Sequence, residues 1–456
     1  MQPTISKKEI WTMGSYSLLT LSIMVGFMYL NTFATEVLQI SAATLATALL
    51  VAKTTDFIFS VVHGAVIEKV KLPGNKGKNA SWLYYGRWVV ALCAMLEVTN
   101  TTMAPMMVRV LVLSVSYIVL NCMMNILQTS YYGLVAVIGG PNPANRNAMT
   151  VNMIRQTTVV TLVCAFIPTL VTILPFGSWN YFVVSLVFVI PMPFALGAMA
   201  KLAEGRDLPV GAGPAGAPQI SVKDMVESLF KNPQLLILFV AHTIMYIAMY
   251  MYQANYTYYF IYVVGDFTKM TVANLVASVV GFFAAMFMPK FGAKLGKKWA
   301  SVVGYAAFAL VMIGIYFACN VAGGNLLMYT VLMTTGTAFT YTYSAYSITM
   351  YLDCGEYYLN KTGKDTRTIA MSLGSPPMKI GMALGGSIGL YLLSSTGYVP
   401  GFTPDAAWQG NFMMVCWILP AIVYLASAIL LAVGYKITDS DAAKYAQENA
   451  ERAAQK

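Results

Sequence analysis

The sequence predicts an all-α polytopic membrane protein of twelve transmembrane helices arranged as two six-helix bundles. Three observations carry that expectation. Of 456 residues, 58% are hydrophobic and only 10% are charged, against about 25% charged in a soluble domain. Apolar runs long enough to cross a bilayer, which needs roughly 20 residues each, recur along the chain. The charges between those runs are distributed asymmetrically.

The spans are expected near 14–37, 41–67, 82–101, 105–138, 149–174, 179–201, 232–263, 270–289, 299–319, 324–352, 368–395 and 408–435. The joint between the third and fourth, around Thr101–Pro105, is the least marked of the boundaries. The first run is too long for a signal-peptide core and is kept as an uncleaved span. With an even number of spans, most of the 28 Lys and Arg fall in loops on one side, including Lys69, Lys71, Lys76, Lys78, Lys290, Lys294, Lys297 and Lys298. The opposite loops hold only Lys269. The positive-inside rule then puts both termini in the cytoplasm of a multi-pass protein of the cell inner membrane. A net charge of +10 therefore reports topology and an attraction to anionic lipid headgroups, not nucleic acid.

One segment breaks the pattern. Residues 203–231 join a Gly/Pro/Ala linker, GAGPAGAP, to a short amphipathic stretch at Ser221–Phe230, which is loop chemistry. It divides the chain into a six-helix bundle at 1–202 and another at 232–435, followed by a cytoplasmic tail at 436–456. Two such halves around a central loop are the layout of the major facilitator superfamily, in which the halves rock about a midplane site. A faint echo between halves supports it: Arg146-Asn-Ala-Met-Thr opens span five and Arg367-Thr-Ile-Ala-Met-Ser opens span eleven, each followed by a basic residue, Arg155 and Lys379.

Charges deep in spans are costly, and they commonly face a cavity, pair with one another or carry protons. Here the deep set is one acid, Asp56, against three bases: Lys53 on the same helix, Arg155 in span five and Lys379 in span eleven. Lys53 and Asp56 share a helical face that Ser60 and His63 continue. A cluster that only locks helices together does not need the two surplus positive charges. An anionic or hydroxyl-rich solute would neutralise them, and Arg155 can grip oxygens in bidentate fashion. His63 is a candidate proton relay. Glu97 and Arg109 are expected nearer span ends, where snorkelling relieves them. Tyr131, Tyr132 and Tyr341 lie close to the polar positions Asn125, Gln128 and Ser344, as in a cavity wall that stacks on a solute.

The six cysteines are scattered and form no CxxC, so neither a metal site nor a disulfide framework is expected. No HExxH, GxSxG or P-loop occurs, so no enzyme chemistry is expected either.

Asp353-Cys-Gly-Glu-Tyr, followed by Met378-Lys379 and by Gly397-Tyr398-Val399-Pro400, resembles the glycoside–pentoside–hexuronide:cation symporters, of which melibiose permeases are the best-known members. VAKTTD in span two looks like that family's VAR-x-x-D, and the Gly/Lys-rich loop before Trp82 looks like its second-to-third-span loop. The resemblance implies symport of a small polar or anionic solute by alternating access, driven by a proton or sodium ion, with no cofactor and no resident metal beyond that ion. It implies a monomer in lipid. It assigns the coupling cation to Asp56, with Asn125 and Ser60 in the same site and Lys379 and Lys53 as counter-charges. It assigns the solute to Arg155, Tyr132 and Tyr341, and aligns Thr20 and Gln128 with two galactoside-binding aspartates. The second span-two acid is Ser60 here and its preceding asparagine is Phe59, so a two-carboxylate sodium site is absent. Those departures shift the cavity towards positive potential and favour a hexuronide or another organic anion over a neutral disaccharide. Two alternatives keep the fold: an uncoupled uniporter or exchanger in which Asp56 stays paired, and a carrier of lipids or other amphiphiles suited to the 30 methionines.

Overall fold

The computed structural model describes residues 3–74, 76–210, 222–321, 323–344 and 346–454. The linker GAGPAGAP therefore lies wholly outside the described residues, as does Ser221. The chain divides into two compact units, Met1–Ala217 and Pro218–Lys456.

The first unit contains α1 (Lys7–Val37), α2 (Ala42–Lys69), α3 (Lys78–Glu97), α4 (Met106–Gly139), α5 (Pro143–Ile173) and α6 (Gly177–Leu202). The second begins with the amphipathic α7 (Val222–Lys231) and continues with α8 (Pro233–Val263), α9 (Lys269–Leu295) and α10 (Lys297–Cys319). It ends with α11 (Leu326–Ser344), α12 (Ser347–Thr362), the short α13 (Arg367–Ser372), α14 (Pro376–Ser395), α15 (Ala406–Gly434) and α16 (Asp439–Ala454).

Among the described residues nine helices are long and apolar enough to cross a membrane. The expected spans at 82–101, 324–352 and 368–395 fall on segments outside that set. Tyr84, Tyr85 and Arg87 dilute α3, a run of Thr and Tyr dilutes α11, and Lys379 with four glycines dilutes α14. Among the described residues the fold is all-helical, with a multi-pass membrane character.

Helix starts are written locally. Ser6 caps α1 in a reciprocal box, its hydroxyl accepting from the Glu9 amide while the Glu9 carboxylate accepts from the Ser6 amide, which satisfies two otherwise orphaned donors. Asn142-Pro143 and Asn232-Pro233 each place a capping amide before a proline whose missing N–H costs nothing at the first helical position. The third helix is capped from a distance. Asp207, just past α6, accepts from the Asn79 and Ala80 amides at 2.6 and 2.8 Å, and Oδ1 takes the Asn79 side chain at 3.1 Å. Gly77 makes room for it: φ is +93°, and a Cβ there would lie 2.5 Å from the Asp207 carbonyl.

The two units share a device invisible in their sequences. Each first long helix ends in a π turn, Phe33–Val37 in α1 and Tyr259–Val263 in α8. In each, the next residue donates back to the first carbonyl of the turn, and a later amide reaches the second: Leu38 to Phe33 and Ile40 to Ala34; Val264 to Tyr259 and Asp266 to Phe260. The intervening residue has positive φ in both, Gln39 at +58° and Gly265 at +72°. The Arg146/Arg367 echo is looser: Arg146 lies inside α5, whereas Arg367 opens a short helix broken off before Pro376.

In the second unit, small residues let helices approach closely. Gly381, Gly385 and Gly389 recur every fourth residue along α14 and lie on the α8 backbone at Tyr246, Ile247 and Met251; a Cβ on Gly389 would sit 2.7 Å from the Met251 carbonyl.

Candidate functional site

In the first unit, packing of α2 against α4 builds a polar seam. Asp56 is 3% exposed, and the Asn125 side-chain amide donates to its Oδ1 at 2.6 Å and to the Asn121 carbonyl at 3.0 Å. Lys53 lies one turn before Asp56 on α2 and is half-buried. Two turns beyond Asp56, His63 Nδ1 meets the Ser60 carbonyl at 2.8 Å and Nε2 meets the Thr129 hydroxyl at 2.8 Å. A carbonyl only accepts, so Nδ1 carries the hydrogen; in the neutral ring Nε2 then accepts from Thr129. Both ring nitrogens are thus engaged, and neither bonds to Asp56. The Ser60 hydroxyl donates to the Phe57 carbonyl of its own helix at 2.7 Å. Asn125 thus reaches the Asp56 carboxylate from a neighbouring helix.

The residues expected at the solute site are spread around this seam. Gln128 and Tyr132 are exposed on α4, Tyr132 by 50%. Arg155 is exposed on α5, and Thr20 is half-buried in α1. Tyr131 departs from the expected cavity wall. It is fully buried and stacks on Tyr16 with ring centroids 4.0 Å apart, because adjacent helical positions point about 100° apart and only Tyr132 faces outward. In the second unit Lys379 is half-buried in α14. Tyr341 of α11 lies against Gly281 of α9, where a Cβ would sit 3.4 Å from its hydroxyl.

Two span-end charges depart from expectation. Arg109 does not snorkel: Nε, Nη1 and Nη2 donate to the carbonyls of Ala104, Leu38 and Thr102 at 2.9, 2.8 and 2.6 Å, tying the α1–α2 connection to the turn before α4. Glu97 is buried, 2% exposed, with its carboxylate against Gly26 of α1. The α1 backbone at Gly26 closes over the carboxylate, so the side chain does not reach the surface. Nothing in the sequence marks the Gly26 approach that encloses it.

The Asp353-Cys-Gly-Glu-Tyr element is a junction. Asp353 pairs with Lys297 at the start of α10. Gly355 admits the Arg367 backbone, whose Cα would lie 2.8 Å from an added Cβ. Glu356 pairs with Arg367 at 3.1 Å and accepts from Asn449 of α16 at 2.7 Å. Arg367 also hydrogen-bonds Asp365 and so holds that carboxyl below its usual range. Four helices, α10, α12, α13 and α16, meet through this motif.

No three His, Cys, Asp or Glu converge as metal ligands among the described residues. Residues 12–439 match the model of the MFS/sugar transport protein family. The chain belongs to that family. It is a family of transporters, not of enzymes. Among relatives, a protein of Escherichia coli K12 provisionally named a sulfoquinovose importer is 24% identical over 92% of this chain and 88% of its own length. The isoprimeverose transporter of Lactiplantibacillus pentosus is 27% identical over 96% and 92%. Among solved structures, a bacterial homologue of the iron transporter ferroportin, inward-facing, matches 93% of this chain and all of its own with a TM-score of 0.62 at 12% identity. A bacterial homologue of the human lysosomal transporter Spinster matches 94% and 96% with a TM-score of 0.60 at 13%. At these identities the structures establish the fold alone.

Proposed function

We propose that this chain is a cation-coupled symporter that moves a sugar-like anion across the cell inner membrane by alternating access. It would use twelve transmembrane helices in two six-helix bundles with both termini cytoplasmic. The observation that carries the reading is an enclosed carboxylate, Asp56, in a membrane-spanning helix and held by Asn125 of a neighbouring helix. An acid at that depth is costly to keep charged and is suited to taking up and releasing a cation. In this scheme Asp56 and Asn125 bind the proton or sodium ion, and Lys53 and Lys379 balance Asp56 when the ion leaves.

The solute would be held by Arg155 with Tyr132 and Tyr341. Arg155 is exposed on α5, free to take a carboxylate or sulfonate in bidentate fashion. Relatives named for sulfoquinovose and isoprimeverose support a sugar, and sulfoquinovose, a sulfonated hexose, combines hydroxyls with the negative charge that the basic surplus calls for. Hexuronides share that chemistry.

The test is uptake into proteoliposomes under an imposed pH or sodium gradient, with sulfoquinovose, glucuronides, isoprimeverose and a neutral disaccharide as solutes. Accumulation of an acidic sugar above the outside concentration under one gradient is expected. Equilibration without accumulation under either gradient would replace the symporter with a uniporter. No uptake of any sugar would overturn the reading.

A further inference from the structure

Glu97 is a carboxylate that the Asp56 site leaves unused. It closes α3 at 2% exposure. Among the described residues its Oε1 has no hydrogen-bond partner and no ion pair reaches it. Its Oε2 rests against Gly26 of α1 so closely that a Cβ there would collide with it. The titratable and charged groups at this end of the surrounding elements are Cys93 on α3 itself, Tyr29 and Glu36 on α1, Arg109 and Tyr117 on α4, and Tyr181 on α6. None of them donates a hydrogen bond to Glu97. Arg109, the cation among them, commits its guanidinium to the carbonyls of Leu38, Thr102 and Ala104.

A charged carboxylate enclosed without a protein partner is disfavoured, and a bound proton removes the charge. We propose that Glu97 is a proton-binding site of the N-terminal unit, occupied while α1 lies against α3 and emptied when that contact opens. The exchange balances simply: the Glu97 carboxylic acid gives its proton to water and later recovers it from hydronium. The local backbone suits such an opening. α1 carries its π turn, Phe33–Val37, two helical turns beyond Gly26, and π turns recur at functional sites in helices. α3 ends at Glu97, so α1 can move off it without breaking α3.

The inference goes beyond the symport reading and does not need Asp56 to be the coupling site. Its test needs no solute and no gradient. Infrared spectra of the full-length protein in lipid would be recorded at neutral pH in water and after transfer to heavy water. The wild type is expected to show a protonated-carboxyl stretching band that Glu97→Gln, a neutral isostere of the acid, lacks and that Asp56→Asn retains. Glu97→Asp is expected to keep the band at a shifted position. Gly26→Ala, which wedges α1 away from the carboxylate, is expected to speed the heavy-water shift at least tenfold. A band absent from the wild type, or undiminished in Glu97→Gln, would overturn the site. If Glu97→Gln fails to fold, an unchanged exchange rate in Gly26→Ala would overturn the opening, and a band unmoved in Glu97→Asp would overturn the site.

Discussion

Asn125 donates to an almost wholly enclosed carboxylate across 2.6 Å. Replacing it by alanine withdraws that donor, at a cost of about 1–3 kcal/mol to a buried acceptor. Asn125→Ala is therefore expected to shift the half-saturating concentration of the coupling cation by roughly tenfold or more, measured as initial uptake against pH or sodium. An unchanged value would remove Asn125 from the cation site. At this scale the sequence is partly legible. Asp56, Arg155 and Lys379 stand out because each interrupts an apolar run. Glu97 reads as a span-end charge because composition does not locate span ends more closely than a turn, and one turn separates a snorkelling carboxylate from a sealed one. Tyr131 and Tyr132 are chemically identical neighbours, and only helix packing assigns one to the core and the other to the outside.

The π turns and the remote cap act at the scale of whole helices. Gln39 occupies a left-handed position that its counterpart in the second unit gives to Gly265. A side chain at positive φ is strained where glycine is not, so Gln39→Gly is expected to stabilise the protein by about 1 kcal/mol, read as a raised melting temperature in detergent. A fall would mean that the Gln39 side-chain bond to the Glu36 carbonyl outweighs the strain. Asp207→Ala removes three hydrogen bonds from the start of α3. The expected loss is about 1–3 kcal/mol, confined by amide exchange to the first turns of α3. Acid should loosen the α12–α13 turn in a particular direction. Asp365 is held below the usual carboxylate range by Arg367, so its contribution is present above about pH 4 and is lost as the pH falls through that lowered value. Both side chains are substantially exposed, so solvent keeps the effect small; amide exchange around residues 363–370 between pH 5 and 3 reads it. Caps such as Asn142-Pro143 are readable one residue at a time. A register change into a π turn has no composition of its own, and a cap more than a hundred residues away has no local signal.

For the molecule as a whole, composition and charge asymmetry were enough to read a helical, multi-pass membrane protein, because bilayer thickness and the cost of moving charge act on every span alike. The central linker suggested two halves, and the family resemblance suggested transport. Spans diluted by Tyr, Thr, Gly and Lys are the ones that blur, since residues buried against other helices need not be apolar enough for lipid. The Asp353-Cys-Gly-Glu-Tyr element drew attention as a family signature, and the structure explains its residues as a four-helix junction. The central claim is that Asp56 carries the coupling ion. It is tested most directly by comparing Asp56→Asn with the wild type in proteoliposomes, measuring both gradient-driven accumulation and solute exchange at equal concentrations on the two sides. The account predicts that accumulation falls at least tenfold while exchange persists, because the solute groups remain and only the ion's anchor is gone. Accumulation at the wild-type level in Asp56→Asn would contradict it.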